Sequence, residues 1–212
     1  VLPPVFARSG AAGTIARLTG LGKKVVIIQV TSGDKGTPDS TVAGHELASG
    51  REVEEKHAAD VLGVAEVVYL RCTDGELVPD LTLREKIVRQ IRTFKPDVIV
   101  SHDPYRPYAL HPDHRACGFA AIDAVYPTAR DPHYFPEHLA DGLEPHKTAE
   151  IWFFNAEQPD LVVDISETFD TKIASLKEHA SQVGDGVEMA KRVRERNAEI
   201  AAGQDFELAE AY

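Results

Sequence analysis

Residues 97–118, DVIVSHDPYRPYALHPDHRACG, decide how this chain folds. Asp97 to Ser101 is a short apolar run, as expected of a strand buried on both faces. A proline-rich loop follows, and helical spacing resumes from Asp113 to Val125, with Pro127 closing the helix. Strand, polar loop and helix in that order form the repeating unit of a parallel α/β sheet. Such sheets bind ligands beyond the carboxyl ends of their strands. His111-Pro112-Asp113-His114 falls at that edge, with two imidazoles and a carboxylate in four residues. Imidazole nitrogens suit Zn²⁺ and similar metals, and a carboxylate between them can set tautomer and charge.

The same unit recurs on either side. Lys24 to Val30 (KVVIIQV) reads as a buried parallel strand between Gly22 and Thr31-Ser32-Gly33, preceded by helical spacing from Ala11 to Leu21. Glu46 to Leu62 reads as a helix with an apolar stripe of Leu47, Val53, His57, Val61 and Leu62, stopped by Gly63. Glu66 to Leu70 is a second strand, followed by the turn Thr73-Asp74-Gly75. Leu81 to Phe94 is an amphipathic helix ending before Pro96. Residues 126–147 read as a long excursion over the surface. Ile151 to Phe154 and Leu161 to Ile165 are later strands. Ser166 is expected to cap a helix running to about Gln182, and Glu188 to Ala201 supplies the last one. With no internal repeat and no linker, residues 1–212 read as a single three-layer α/β/α domain, Rossmann-like, around a mostly parallel sheet.

Composition narrows the function. The chain has 212 residues and a formal charge of −11, which argues against gripping a nucleic-acid backbone. No apolar stretch approaches the roughly 18 residues of a membrane span, and no basic-then-apolar signal segment opens the chain. Position 1 is Val rather than Met, so the reading allows for a trimmed N-terminus. The two cysteines, Cys72 and Cys117, form no CxxC pair, and the expected location is the cytoplasm. Neither a GxGxxG nor a GxxxxGK[ST] segment occurs, which weakens a nucleotide-binding reading.

If the sheet is parallel, three polar loops gather at one edge: Thr31 to Gly36, Thr73 to Glu76, and Ser101 to His114. Gly33 and Gly36 allow either substrate contact or simple turn chemistry in the first loop. Arg51 and Glu54 are spaced for a solvated ion pair, or Arg51 points into the cleft to grip an oxygen-rich ligand. His102 could join the site or be a partly buried strand-end residue, the commoner case. His45, His57, His133, His138, His146 and His179 lack partners at ligand spacing and read as structural or surface. Cys117 and Trp152 read as core.

Several of these stretches together resemble the PIG-L/LmbE family of metal-dependent deacetylases. The matching pieces are Gly10 to Arg17, Thr31 to Gly36, Arg51 to Glu54, Thr73 to Gly75 and, most specifically, Ser101 to Gly118. The resemblance implies a Rossmann-like fold with one zinc at the sheet edge and an N-acetylated sugar or glycoside as substrate. It makes His114 a metal ligand and His111 the residue that stabilises the oxyanion or protonates the leaving amine. Asp113 would orient and tune its neighbours, while Asp34 and Arg51 match positions near the sugar cleft. The family's His-Pro-Asp-Asp motif, which supplies two further ligands and the general base, aligns with Pro3, Pro4, Val5 and Phe6. The expectation is therefore a family member whose Zn²⁺ binding and catalysis are impaired in this sequence, and a homo-oligomer is allowed. The rival expectation is a non-catalytic protein of the same fold that holds a sugar or metabolite.

Overall fold

A computed structural model of the chain describes residues 6–108 and 110–212, with side chains from residue 9 onward. The elements run α1 (Phe6–Gly20), β1 (Val26–Thr31), α2 (Gly44–Val61), β2 (Glu66–Cys72), α3 (Leu81–Phe94), β3 (Val98–His102) and α4 (Pro112–Asp123). Then come α5 (Glu137–Ala140), β4 (Glu150–Phe154), β5 (Val162–Asp164), α6 (Phe169–Lys177), α7 (Ala180–Val183), α8 (Val187–Ile200) and β6 (Ala209–Ala211). Among the described residues β1 pairs with β2 and β3 with β4, both parallel, and β5 pairs with β6 antiparallel.

Successive strand residues face opposite ways, and two cores follow from that alternation. On one face Ile27, Val67, Val100, Trp152 and Phe154 meet Ala11, Ala12, Ile15 and Ala16 of α1, with Ala59 of α2 and Leu62 just beyond it. On the other, Val30, Leu70, Ile99 and Ile151 meet Leu83, Ile87 and Ile91 of α3 and Cys117 and Ala120 of α4. Helix, sheet and helix give the three layers read from the sequence. No helix among the described residues is long and apolar enough to cross a membrane.

Local chemistry fixes the element ends. The Asp80 carboxylate accepts from the Leu83 N–H at 2.9 Å and caps α3, a contact worth about 1 kcal/mol. Lys95 takes the left-handed conformation that ends α3 before Pro96. Buried Glu210 anchors the C-terminal strand to the body through Gly13, Thr14 and Lys172. It accepts from the backbone of Gly13 (2.9 Å) and Thr14 (2.7 Å), from Lys172 Nζ (2.7 Å) and from Tyr212 Oη (3.1 Å). Burial lowers the Lys172 pKa, while the Glu210 charge opposes that shift.

Two readings need correction, and two features were not legible in the sequence. The buried side of α2 is Arg51, Glu55, Ala58 and Ala59, and of the stripe Val53 (55%) and Val61 (37%) are exposed, so alanines together with Leu62 face the core. Ser166 does not cap a long helix. Its hydroxyl accepts from the Glu207 and Leu208 N–H groups (both 3.2 Å), and the helical path breaks at Glu178 and His179. Residues 126–147 are tied to the body by buried Arg92, which donates to the carbonyls of Thr128, Ala129, Asp131, Tyr134 and Phe135. His138 from this segment is fully buried against Glu85 at 2.7 Å. Strand β6 carried too short an apolar signal to be read from the sequence.

Candidate functional site

Three loops leave the carboxyl ends of β1, β2 and β3 and are stitched to one another by carboxylates. Asp34, after β1, accepts from the Asp74 N–H at 3.0 Å in the loop after β2. Asp113, at the start of α4, is completely buried and accepts from Gly75 N (2.7 Å) and Leu77 N (3.1 Å) of that same loop. Thr31 Oγ1 donates to Asp74 Oδ1 at 3.3 Å. Burial, then the neighbouring Asp113 charge, pushes the Asp74 pKa up, with His111 opposing.

Arg51 reaches the same place from α2. It is buried and donates to the Gly33 and Gly36 carbonyls, both at 2.5 Å. Neither sequence reading of Arg51 describes this arrangement. The pair with Glu54 is not made, since Glu54 accepts from Ser181 N and Oγ, and two guanidinium nitrogens brace a loop. Arg51 Nε is buried with no hydrogen-bond partner among the described residues. Gly33 has φ +72°, and a Cβ there would lie 2.4 Å from Arg51 Nη1. Turn geometry and room for the guanidinium both require this glycine.

The imidazoles form a stack. His102, His114 and His111 lie in sequence, with ring centroids 4.1 Å and 4.5 Å apart and both pairs 18° from parallel. Phe154 closes the inner end, 4.2 Å from His102. His111 is the N-cap of α4, and its Nδ1 accepts from the Asp113 N–H at 3.3 Å, which places the neutral ring's proton on Nε2. Burial, then the nearby His114, pushes the His102 pKa down to about 2. Burial, then His111, pushes His114 down to about 4, against the pull of Asp113. Both rings are therefore neutral at ordinary pH, the form in which imidazole ligates a metal. Cys117 is buried in the core between the sheet, α3 and α4 with its thiol pushed up to about 12, so it acts as a small apolar residue.

The structure thus brings together His111, Asp113 and His114, and it links Asp34 to them through Asp74. It adds His102, which sequence reasoning favoured as a strand-end residue, and Asp74, which had been read as part of a turn at the sheet edge and given no role of its own. The tight alternation of His102-Asp103 with the His111 segment was the signal available for the first. Gly118 makes the stack possible: a Cβ there would lie 2.7 Å from the His102 carbonyl oxygen, so α4 rests directly on the end of β3.

Parallel stacked rings send their in-plane lone pairs side by side rather than to one point. Among the described residues no three His, Cys, Asp or Glu side chains are grouped to hold a metal ion. The donors present do not complete a zinc centre of three protein ligands. Pro3, Pro4 and Val5 lie outside the described residues, as does the side chain of Phe6. An open cleft of about 900 Å³ runs beside β4, lined by Tyr105, Trp152, Asp103 and Glu157, and none of the three histidines lines it.

Comparison with known proteins gives a consistent set of relatives. The family described as GlcNAc-PI de-N-acetylase, PIG-L, matches residues 7–125. The chain is 39% identical over 178 residues to diacetylchitobiose deacetylase of Thermococcus kodakarensis, covering 84% of this chain and 66% of that protein. It therefore spans just under two thirds of the length of that relative. A probable N-acetyl-alpha-D-glucosaminyl L-malate deacetylase 2 of Bacillus anthracis is 28% identical, over 85% of this chain and 78% of its own. Among solved structures, N,N'-diacetylchitobiose deacetylase from Pyrococcus horikoshii, complexed with its inhibitor MPG, superposes with a TM-score of 0.92 at 30% identity. That match covers 99% of this chain and 79% of the other.

Proposed function

Because this chain belongs to the GlcNAc-PI de-N-acetylase (PIG-L) family, we propose that it is an N-deacetylase acting on N-acetylglucosamine-type sugars or glycosides. The observation that carries the reading is the placement of His111: exposed, at the N-terminus of α4, with a fixed tautomer and His114 stacked behind it. Amide hydrolysis needs a donor where negative charge develops on the carbonyl oxygen, and a proton for the departing nitrogen. The Nε2–H can donate a hydrogen bond to that oxygen, aided by the partial positive charge of the helix N-terminus. Protonating the nitrogen requires the imidazolium, which gives up the Nδ1 bond from the Asp113 N–H. Asp113 acts on this chemistry indirectly, by tying α4 to the loop that carries Asp74. Arg51 and Asp34 hold the cleft walls in register.

A metal bound at His114 would polarise the acetyl carbonyl and activate a water. The donors grouped around His114 do not complete that centre, and Pro3, Val5 and Phe6 align with the remaining ligand and base positions. The chain accordingly binds Zn²⁺ weakly and releases acetate slowly. The same observation favours, as a second reading, a protein that holds the sugar without hydrolysing it. That Cys72 and Cys117 form no disulfide among the described residues supports a cytoplasmic location. The acidic charge supports a small-molecule substrate and no nucleic-acid partner.

Calorimetric titration with Zn²⁺ and acetate release from N,N'-diacetylchitobiose test both levels. The expected result is weak binding and slow turnover, each rising at least tenfold when Pro3→His, Val5→Asp and Phe6→Asp are combined. Tight one-to-one Zn²⁺ binding by the unchanged chain would remove the impairment. Sugar binding without acetate release in the zinc-loaded triple variant would replace the deacetylase reading with the second one.

A further inference from the structure

A second cavity, of about 210 Å³, lies among the first half of α1, the residues after β4, the C-terminal end of α8 and β6, and none of the three histidines lines it. Arg106, from the loop between β3 and α4, and Arg196, from α8, both line it, together with Asn155, Ser9, Glu199 and Glu210. Neither arginine forms an ion pair among the described residues, although the chain as a whole carries a charge of −11. Arg196 Nη2 donates to Asn155 Oδ1, which fixes that guanidinium at the mouth. Asn155 itself sits in the left-handed conformation (φ 58°) immediately after β4. Glu210 also lines the cavity, but it is paired with buried Lys172 at 2.7 Å and accepts from Gly13, Thr14 and Tyr212. With that ion pair counted as neutral, Glu199 is the remaining carboxylate on the wall beside the two guanidiniums.

Two like charges held at one cavity repel each other unless an anion lies between them. Consistent with that, burial and then the Arg106 charge lower the Arg196 pKa, with Glu199 and then Glu210 opposing. Guanidinium forks match the oxygens of phosphate and carboxylate, and the cavity is too small for a large ligand. We propose that Arg106 and Arg196 form a binding site for a small oxyanion, a phosphate or carboxylate group, separate from the histidine cluster. The anion arrives either free or as the charged part of a sugar derivative. Its place beyond the carboxyl end of β4 is one that ligands of open α/β sheets favour.

Calorimetric titrations of the intact chain with inorganic phosphate, succinate and N-acetylglucosamine 1-phosphate test the site without requiring turnover, so the outcome is independent of deacetylase activity. Saturable one-site binding of phosphate or succinate is expected. Arg106→Ala or Arg196→Ala should weaken it at least tenfold, Arg196→Lys less, and His111→Ala not at all. Tighter binding of the sugar phosphate, in competition with phosphate, would support a substrate-borne anion; equal affinities would support a free one. Phosphate affinity unchanged in the Arg106→Ala/Arg196→Ala double variant overturns the proposal, as does the absence of saturable binding by the unchanged chain. Sensitivity to His111→Ala alone also overturns it. Both arginines are surface-exposed, so the variants should keep the fold, and circular dichroism checks this.

Discussion

His102 and His114 lie face to face, 4.1 Å between ring centroids and 18° from parallel, although twelve positions separate them in the chain. The contact joins the last residue of β3 to the first turn of α4 and is backed by Phe154. It means that the candidate site is built on the packing of a helix against a strand end, and that anything separating the two elements separates the rings.

Gly118→Ala tests that dependence. The added methyl would meet the His102 carbonyl at 2.7 Å and Pro104 at 3.0 Å, both difficult to displace. Overpacking of this kind costs about 1–3 kcal/mol. Urea denaturation should show the loss, and the His102 and His114 ring resonances should shift together. Unchanged stability and unchanged ring shifts would contradict the packing described.

Asp113→Asn keeps the shape and removes the charge. One of the two backbone N–H groups, on Gly75 or Leu77, then faces an amide NH₂. Leaving a buried donor unsatisfied costs about 1–3 kcal/mol. Hydrogen exchange at the Gly75 and Leu77 amides should accelerate well beyond that of α3. If the two amides keep their protection, Asp113 does not anchor the loop.

Arg51→Lys is expected to behave as a disruptive change. A single ammonium cannot span the Gly33 and Gly36 carbonyls as the planar fork does. Stability should fall by about 1–3 kcal/mol, with faster proteolysis confined to residues 33–36. Cleavage at the unaltered rate would mean that the loop holds itself.

Glu52 gives the chain an acid-sensitive contact. Its hydrogen bond with Arg71 holds the carboxyl below its ordinary value, opposed by burial and aided by Ser32 Oγ at 2.6 Å. A depressed folded-state pKa stabilises above the unfolded value of about 4.3 and loses that stabilisation as pH falls through the folded value. The urea midpoint of the unchanged chain should therefore drop on acidification from about pH 5. Glu52→Gln should start lower at neutral pH and show a shallower drop. Parallel pH profiles for the two proteins would dispose of the contact as a source of acid sensitivity.

The layered α/β architecture and the cluster at residues 111–114 were readable before any coordinates, because both depend on short-range patterns. Apolar runs of strand length, a stripe at helical spacing from Leu83 to Ile91, and turn residues at Gly63 and Gly75 each report on their own neighbourhood. The stripe proposed for α2 failed at Val53 and Val61 for a related reason: the pattern weighs large apolar residues, while the partner surface accepts Ala58 and Ala59. Burial of Arg92 and His138 was illegible because their partners lie 36 to 53 positions away.

Local sequence established which residues carry chemistry, and at which edge of a sheet they would stand, since hydrophobic period and turn type act over a few residues. Folding in three dimensions settled what those residues touch. It placed His102 on His114, turned Arg51 inward to brace a glycine loop, and set Arg106 beside Arg196 from ninety positions away. Contacts of that range follow from how whole layers pack, and no window along the chain contains both partners.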